Sequence, residues 1–390
     1  MFRDEPAFRH FAGWLLVLGL WLARPGEAMP TNVILFIGDG MGYNQVAAAG
    51  LYAHGASGTL SFEAFPNQAQ VTTHSADSAI TDSAASATAM ATGRKANNGV
   101  ISVAYPGDGH ELPTVLEHAA AAGKATGLVT TTDISHATPA AFAAHKPSRY
   151  NSAGIVQDYL QQTRPNVLFG GSQYLSESQA TAASYTVVKD AAQLKGLNTD
   201  STTSVSGQFA AGNMTYEYDR TEATAEPHLS EMTAAALDIL DNNPMGFFLM
   251  VEGGRIDRAA HSHDLTRMIH ETIEFSRAVQ TAMDWAASAG PSNTLILVTA
   301  DHETGGLDVL AGMGAGQYPD VTWSTPGHTG ANVPIYGWGS NSEWIAGVMD
   351  NTAIYSVMMA TPRVVPASGA LALASIGLIV VALLRSRRMI

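Results

Sequence analysis

Between about residues 30 and 362, uninterrupted apolar runs take turns with stretches whose apolar positions recur at helical spacing. The runs are 33–37, 127–131, 167–169, 247–251 and 295–299. They are short, rich in β-branched or aromatic side chains, and do not alternate polar with apolar. That is the pattern of strands buried on both faces of a parallel sheet. Helices are predicted over 83–92, 112–122, 152–162, 230–240 and about 263–287. In the last, Leu265, Met268, Ile269, Thr272, Phe275, Val279 and Met283 fall near one face, and Gly290-Pro291 supplies a stop. Strands and helices in turn predict one α/β domain, a mainly parallel central sheet flanked by helices on both faces. The stretch 171–225, rich in Ser, Thr, Asn and Gly, has weak periodicity and reads as a loop-rich insertion within that domain.

The two ends break the pattern. Residues 1–28 begin with Arg3 and Arg9, continue through an apolar run over 11–23 and close on Gly26-Glu27-Ala28. This reads as a secretory signal peptide, so the protein is expected to be exported. Residues 363–390 pass through Pro366, then an apolar run over 370–384, then Arg385-Ser386-Arg387-Arg388. This tail resembles a bacterial surface-sorting signal of the PEP-CTERM or sortase type. A plain membrane anchor is the alternative, since the segment is just long enough to span. The catalytic domain is then expected over 29–362. The net charge is −14; residues 1–28 are neutral and the last 25 carry +3, so the segment between them carries −17, which makes nucleic acid an unsuitable partner. With no cysteine in the chain, disulfides and thiolate metal sites are excluded.

The chemistry-bearing residues follow the strands. The first apolar run leads into Gly38-Asp39-Gly40-Met41-Gly42. The second leads into Asp133 and then His136-Ala137-Thr138. The fourth ends on Glu252-Gly253-Gly254, and the fifth on Ala300-Asp301-His302-Glu303. One strand-end Asp is ordinarily a helix cap. Four such placements at strand carboxyl ends, where α/β sheets bind ligands, point to a metal-binding rim. Asp257 and His261, four apart, share a face if their segment is helical, whereas His263 points elsewhere. Gly327-His328-Thr329-Gly330 adds another imidazole on a loop. The remaining histidines (His54, His74, His110, His118, His145, His228, His270) carry no signal.

In Asp82-Ser83-Ala84 a serine stands where an Ala-rich helix begins. It reads either as an ordinary N-cap or as a nucleophile in an anion site. Arg149, before Tyr150-Asn151, reads on its own as a solvated surface residue. Imidazole plus carboxylate without thiol suits Zn²⁺, and all-oxygen ligation suits Mg²⁺. The inventory supports two zinc-like sites and a harder third. Paired ions about 4 Å apart serve in-line displacement at phosphorus.

Six motifs, in order, resemble the alkaline phosphatase family: Ile37-Gly38-Asp39-Gly40-Met41-Gly42, Thr81-Asp82-Ser83-Ala84-Ala85-Ser86-Ala87-Thr88, His136-Ala137-Thr138-Pro139-Ala140-Ala141, Val251-Glu252-Gly253-Gly254-Arg255-Ile256-Asp257, Thr299-Ala300-Asp301-His302-Glu303-Thr304 and His328-Thr329-Gly330. The resemblance implies hydrolysis of small phosphomonoesters through a phosphoserine at Ser83. It implies one Zn²⁺ held by Asp39, Asp301 and His302, and a second by Asp257, His261 and His328. A Mg²⁺ is implied at Asp39, Thr138 and Glu252. There His136 stands where some members carry Asp, which favours zinc or weakens Mg²⁺ binding. Arg149 is implied as the clamp on the phosphate oxygens, and a homodimer is implied as the assembly. Arg258, after Asp257, is either a second phosphate contact or a solvated residue. A phosphodiesterase of the same superfamily and a non-catalytic surface protein binding metal or phosphate are the competing readings. A sulfatase is disfavoured, because Ser83 lacks the following x-Pro-x-Arg and no cysteine exists.

Overall fold

The five apolar runs are strands, each one to four residues longer than its hydrophobic stretch. The computed structural model describes residues 29–289 and 293–360. The expectations for 1–28, for 363–390 and for the Gly290-Pro291 stop lie outside these residues. In chain order the strands are β1 (Asn32–Gly38), β2 (Asn67–Thr72), β3 (Ala125–Asp133), β4 (Val167–Gly171), β5 (Thr186–Val188), β6 (Val205–Ala210) and β7 (Phe247–Gly253). They continue with β8 (Thr294–Thr299), β9 (Glu303–Thr304), β10 (Leu307–Ala311), β11 (Asp320–Trp323), β12 (His328–Thr329), β13 (Val333–Gly339) and β14 (Val348–Asp350).

Ten of them form one sheet in the order β14-β2-β13-β8-β1-β7-β3-β4-β6-β5. All neighbours are parallel except β13, which runs against both β8 and β2. β1, β7 and β8 are buried along their whole length because helices cover both faces. On one face the long helix Leu265–Ala289 packs against Leu229–Leu240 and Tyr43–His54. On the other, Ser83–Thr92 packs against Ala137–Ala143 and Thr352–Met359. The mainly parallel α/β architecture is therefore present.

The differences are local. The helix expected over 112–122 starts at Val115, because Thr114 caps it and Glu117 reaches back to the Thr114 amide. The helix expected over 152–162 loosens into a π-turn at Tyr159–Thr163. The stretch 171–225 supplies β5 and β6, which extend the sheet edge, along with the short helices Glu177–Ala182 and Ala191–Lys195.

A buried histidine paired with a half-buried glutamate fastens the segment that follows the helix Ala137–Ala143. His145 donates through Nδ1 to the Ser102 carbonyl at 2.8 Å and through Nε2 to Glu117 at 3.1 Å. Burial opposes the imidazolium, but Glu117 and the carbonyl outweigh it and raise the His145 pKa. A histidine pKa raised on folding contributes stability that is complete below the unfolded value of about 6.5. That contribution is lost as pH rises through the folded value. The melting temperature of wild type should therefore exceed that of His145→Gln most near pH 6, and the gap should narrow towards pH 9. A gap that widens with pH would contradict the pairing.

Candidate active site

Strand register puts the acidic residues in one place. Ile37 of β1 lies opposite Glu252 of β7 and Thr299 of β8, and Thr130 of β3 lies opposite Glu252. Asp39 and Asp301 follow two residues beyond that row, at the carboxyl edge. Gly40 turns the chain there at φ +72°, and a Cβ on it would come within 3.0 Å of Asp257. Only glycine lets the Asp39 turn approach Asp257 so closely.

Ser83 opens a ten-residue helix (Ser83–Thr92) buried throughout. Its alanines, serines and threonines are small enough to let the helix sit inside the protein. The N-cap is Asp82, not Ser83: one Asp82 oxygen accepts from the Ala85 amide at 3.0 Å. Ser86 Oγ donates to the Asp301 carbonyl at 2.7 Å, which ties this helix to the exit of β8. Ser83 Oγ then lies 3.3 Å from His302 Nε2.

The histidine protons can be placed from their partners. The Nδ1 of His261 faces the Pro326 carbonyl and that of His328 faces the Thr81 carbonyl. A carbonyl only accepts, so each Nδ1 carries a proton, and in the neutral ring each Nε2 offers a lone pair. Those two Nε2 atoms are 3.2 Å apart, and Asp257 Oδ1 is 3.3 Å and 3.6 Å from them. Thr304 Oγ1 donates to Asp257 at 2.6 Å, so it accepts from His302 Nδ1 at 3.2 Å. His302 Nε2 is thereby a lone pair as well, 3.1 Å from Asp301 Oδ2 and 3.6 Å from Asp39 Oδ1.

Lone pairs thus face lone pairs in two adjoining clusters. Asp39 Oδ1 and Asp301 Oδ2 are buried with no hydrogen bond among the described residues. Burial, then the Asp301, Asp257 and Glu252 charges, push Asp39 well above the usual carboxylate range. Burial also opposes ionisation of Asp257, but His261, His302 and His328 hold it below that range. When His261 Nε2 is protonated instead, its hydrogen bond to Asp257 favours the imidazolium and lifts His261 to about 8. Burial disfavours a charged His302, yet Asp301 and Asp257 raise it, so the field at this point favours positive charge. Buried carboxylates in this number need a compensating cation. The donor set, N and O without S, fits a divalent ion.

A third cluster joins Asp39, His136 and Glu252. Thr138 Oγ1 is buried with no hydrogen-bond partner among the described residues. Glu252 accepts from Thr130 and Thr132, and lies 3.3 Å from His136 Nδ1. Arg149 reaches this cluster with one Nη 2.8 Å from Asp82 and the other 3.3 Å from His136 Nε2. Burial works against its charge, but Asp82 and Asp39 raise its pKa.

Asp39, His136, Arg149, Glu252, Asp257, His261, Asp301, His302 and His328 therefore lie along one rim with Ser83. Arg258 is exposed on the helix Arg255–His261, and His263 turns away to donate to the Thr325 carbonyl and stack on Trp323. Asp133 binds the Ser135 and Gln173 amides instead of facing the clusters. Sequence reasoning missed Thr304 and Thr130, whose hydroxyls hold Asp257 and Glu252. No local signal marks them. One further group, Glu217, His228 and Glu274, also gathers ligand-type atoms. There Arg220 already supplies positive charge, with its Nε 3.0 Å from Glu217.

Fold and rim together define a metal-binding hydrolase. The family described as alkaline phosphatase matches residues 30–172 and 169–319. Alkaline phosphatase 3 of Bacillus subtilis is 33% identical over 83% of this chain and 87% of its own length. Streptomycin-6-phosphate phosphatase of Streptomyces griseus is 33% identical over 86% of this chain and 91% of its own. The crystal structure of a cold-active alkaline phosphatase from a Shewanella species is 30% identical, with a TM-score of 0.76 over 85% of this chain and 100% of that one. The chain belongs to the alkaline phosphatase family. It is a metal-dependent hydrolase of phosphate monoesters.

Proposed function

We propose that Ser83 is the nucleophile and that hydrolysis runs through a phosphoserine. The observation that carries this is the Ser83 hydroxyl at a helix N-terminus, 3.3 Å from His302 and beside buried lone pairs that need cations. Asp39, Asp301 and His302 would hold one Zn²⁺, Asp257, His261 and His328 a second, and Asp39, Thr138 and Glu252 a Mg²⁺, with His136 beside that third site. Such ions supply an acidified seryl hydroxyl, charge compensation at the leaving oxygen and a nucleophilic water at neutral pH.

The chain's own groups do the rest. The Ser83 hydroxyl gives up its proton as Oγ attacks phosphorus in line, the bond from phosphorus to the ester oxygen breaks, and that oxygen takes up a proton and leaves as the alcohol. Water then attacks the phosphoseryl phosphorus, releasing inorganic phosphate and restoring the hydroxyl. Arg149, fixed by Asp82, pairs with two non-bridging oxygens. The helix N-terminus adds its partial positive charge.

Export by residues 1–28, a catalytic domain over 29–362 and surface sorting or membrane attachment through 363–390 belong to the same reading, as does a homodimer. Brief reaction with substrate followed by an acid quench should leave phosphate on Ser83, detectable by mass spectrometry of the peptide. Phosphate found on no residue during steady turnover would refute the covalent route. Arg149→Ala should lower kcat/KM by about 10- to 100-fold, the worth of a charge-assisted bidentate contact, and weaken inhibition by inorganic phosphate. Unchanged phosphate inhibition would remove Arg149 from the clamp.

A further inference from the structure

Glu303 stands between His302 and Thr304 and takes no part in the chemistry above. It is buried, and its carboxylate accepts four hydrogen bonds. Oε1 receives Gln45 Nε2 at 2.8 Å and the Leu307 amide at 3.2 Å. Oε2 receives the Gly306 amide at 3.2 Å and the Thr329 hydroxyl. Gln45 lies in the helix that follows the Asp39 turn, and Thr329 is the neighbour of His328. β9 and β12 pair antiparallel, with Glu303 opposite Thr329 and His328 opposite Thr304. Gly42 leaves the space, since a Cβ there would come within 2.5 Å of Glu303 Cγ.

We infer that Glu303 is a positioning residue that clamps the segments carrying Asp39, His302 and His328 into one metal-binding arrangement. The inference rests on the metal reading of the preceding section. Four donors converge on two oxygens, so only a carboxylate satisfies them. In Gln the amide NH₂ would confront two donors, and one half of the clamp would open. Opening the half at Oε2 frees Thr329 and with it the loop bearing His328. Groups that orient metal ligands are commonly worth 10- to 100-fold in metal affinity.

The test is zinc titration of the metal-depleted full-length protein against a chromophoric chelator, with the visible spectrum of the Co²⁺-loaded protein as a second readout. Glu303→Gln should bind zinc about 10- to 100-fold more weakly than wild type, show an altered Co²⁺ spectrum, and regain part of its kcat in excess zinc. Thr329→Val keeps the shape but removes the hydroxyl that donates to Glu303 and accepts the Ala331 amide at 3.3 Å, and it should shift both readouts the same way by less. Glu303→Gln that folds with wild-type zinc affinity and spectrum overturns the inference. If Glu303→Gln does not fold, Thr329→Val with unchanged affinity and spectrum overturns it. Wild type that takes up no zinc refutes the metal reading itself and this inference with it.

Discussion

Ser83→Ala should abolish release of p-nitrophenol from p-nitrophenyl phosphate, with kcat falling at least about a thousand-fold. The substitution removes one buried oxygen and little else. Ser83 is not the cap of its helix; Asp82 is, and Ser86 anchors the helix to β8. The variant should therefore keep its melting temperature within about a degree or two and its full metal content. Loss of activity with retained zinc separates a nucleophile from a ligand. Equal losses of zinc and turnover would mean that the hydroxyl matters for holding an ion.

The second large effect is expected at Asp39→Asn. Asp39 is the residue common to two of the ligand clusters, Asp39–Asp257–His302 and Asp39–His136–Glu252. Replacing a carboxylate by an amide of the same shape removes one negative charge from both. Zinc and magnesium should both be lost or weakened, and turnover should fall about a thousand-fold or more. In metal-free protein the order of stability reverses. Burial and the Asp301, Asp257 and Glu252 charges penalise ionised Asp39, raising its pKa, so the wild-type fold loses stability as pH rises through that raised value. Metal-free Asp39→Asn should therefore melt above metal-free wild type at pH 8, whereas with metal it should melt below. A variant less stable than wild type in both states would refute the charge argument.

Much of this arrangement is legible in the sequence. β1, β3, β4, β7 and β8 announce themselves because strands covered on both faces do not alternate polar with apolar and carry their charged residues only at the carboxyl ends. Ligands at their ends follow from where a parallel sheet presents open loops. β2, with exposed and partly buried residues alternating along Asn67–Thr72, has no such run. The three-residue β5 and β14 are too short to carry a pattern. β13 is broken by Pro334 and Gly337 and takes its place through antiparallel pairing with β8 and β2.

The site divides the same way. Acidic and imidazole residues at strand ends are visible one by one. The proton placements that make them ligands are not, because they depend on carbonyls and hydroxyls brought in from afar. His328 is set by Thr81 and His261 by Pro326. Asp257 is set by Thr304, forty-seven residues on. Periodicity says nothing about contacts of that kind, and neither does residue type, since threonine is as ordinary at a turn as at a metal centre.

Anomalous diffraction at the zinc edge from crystals of the active protein tests the central claim most directly. The account predicts peaks among Asp257, His261 and His328 and among Asp39, Asp301 and His302, both beside Ser83. A protein that turns over phosphomonoesters with no ion at either place, or whose ions lie away from Ser83, would contradict it.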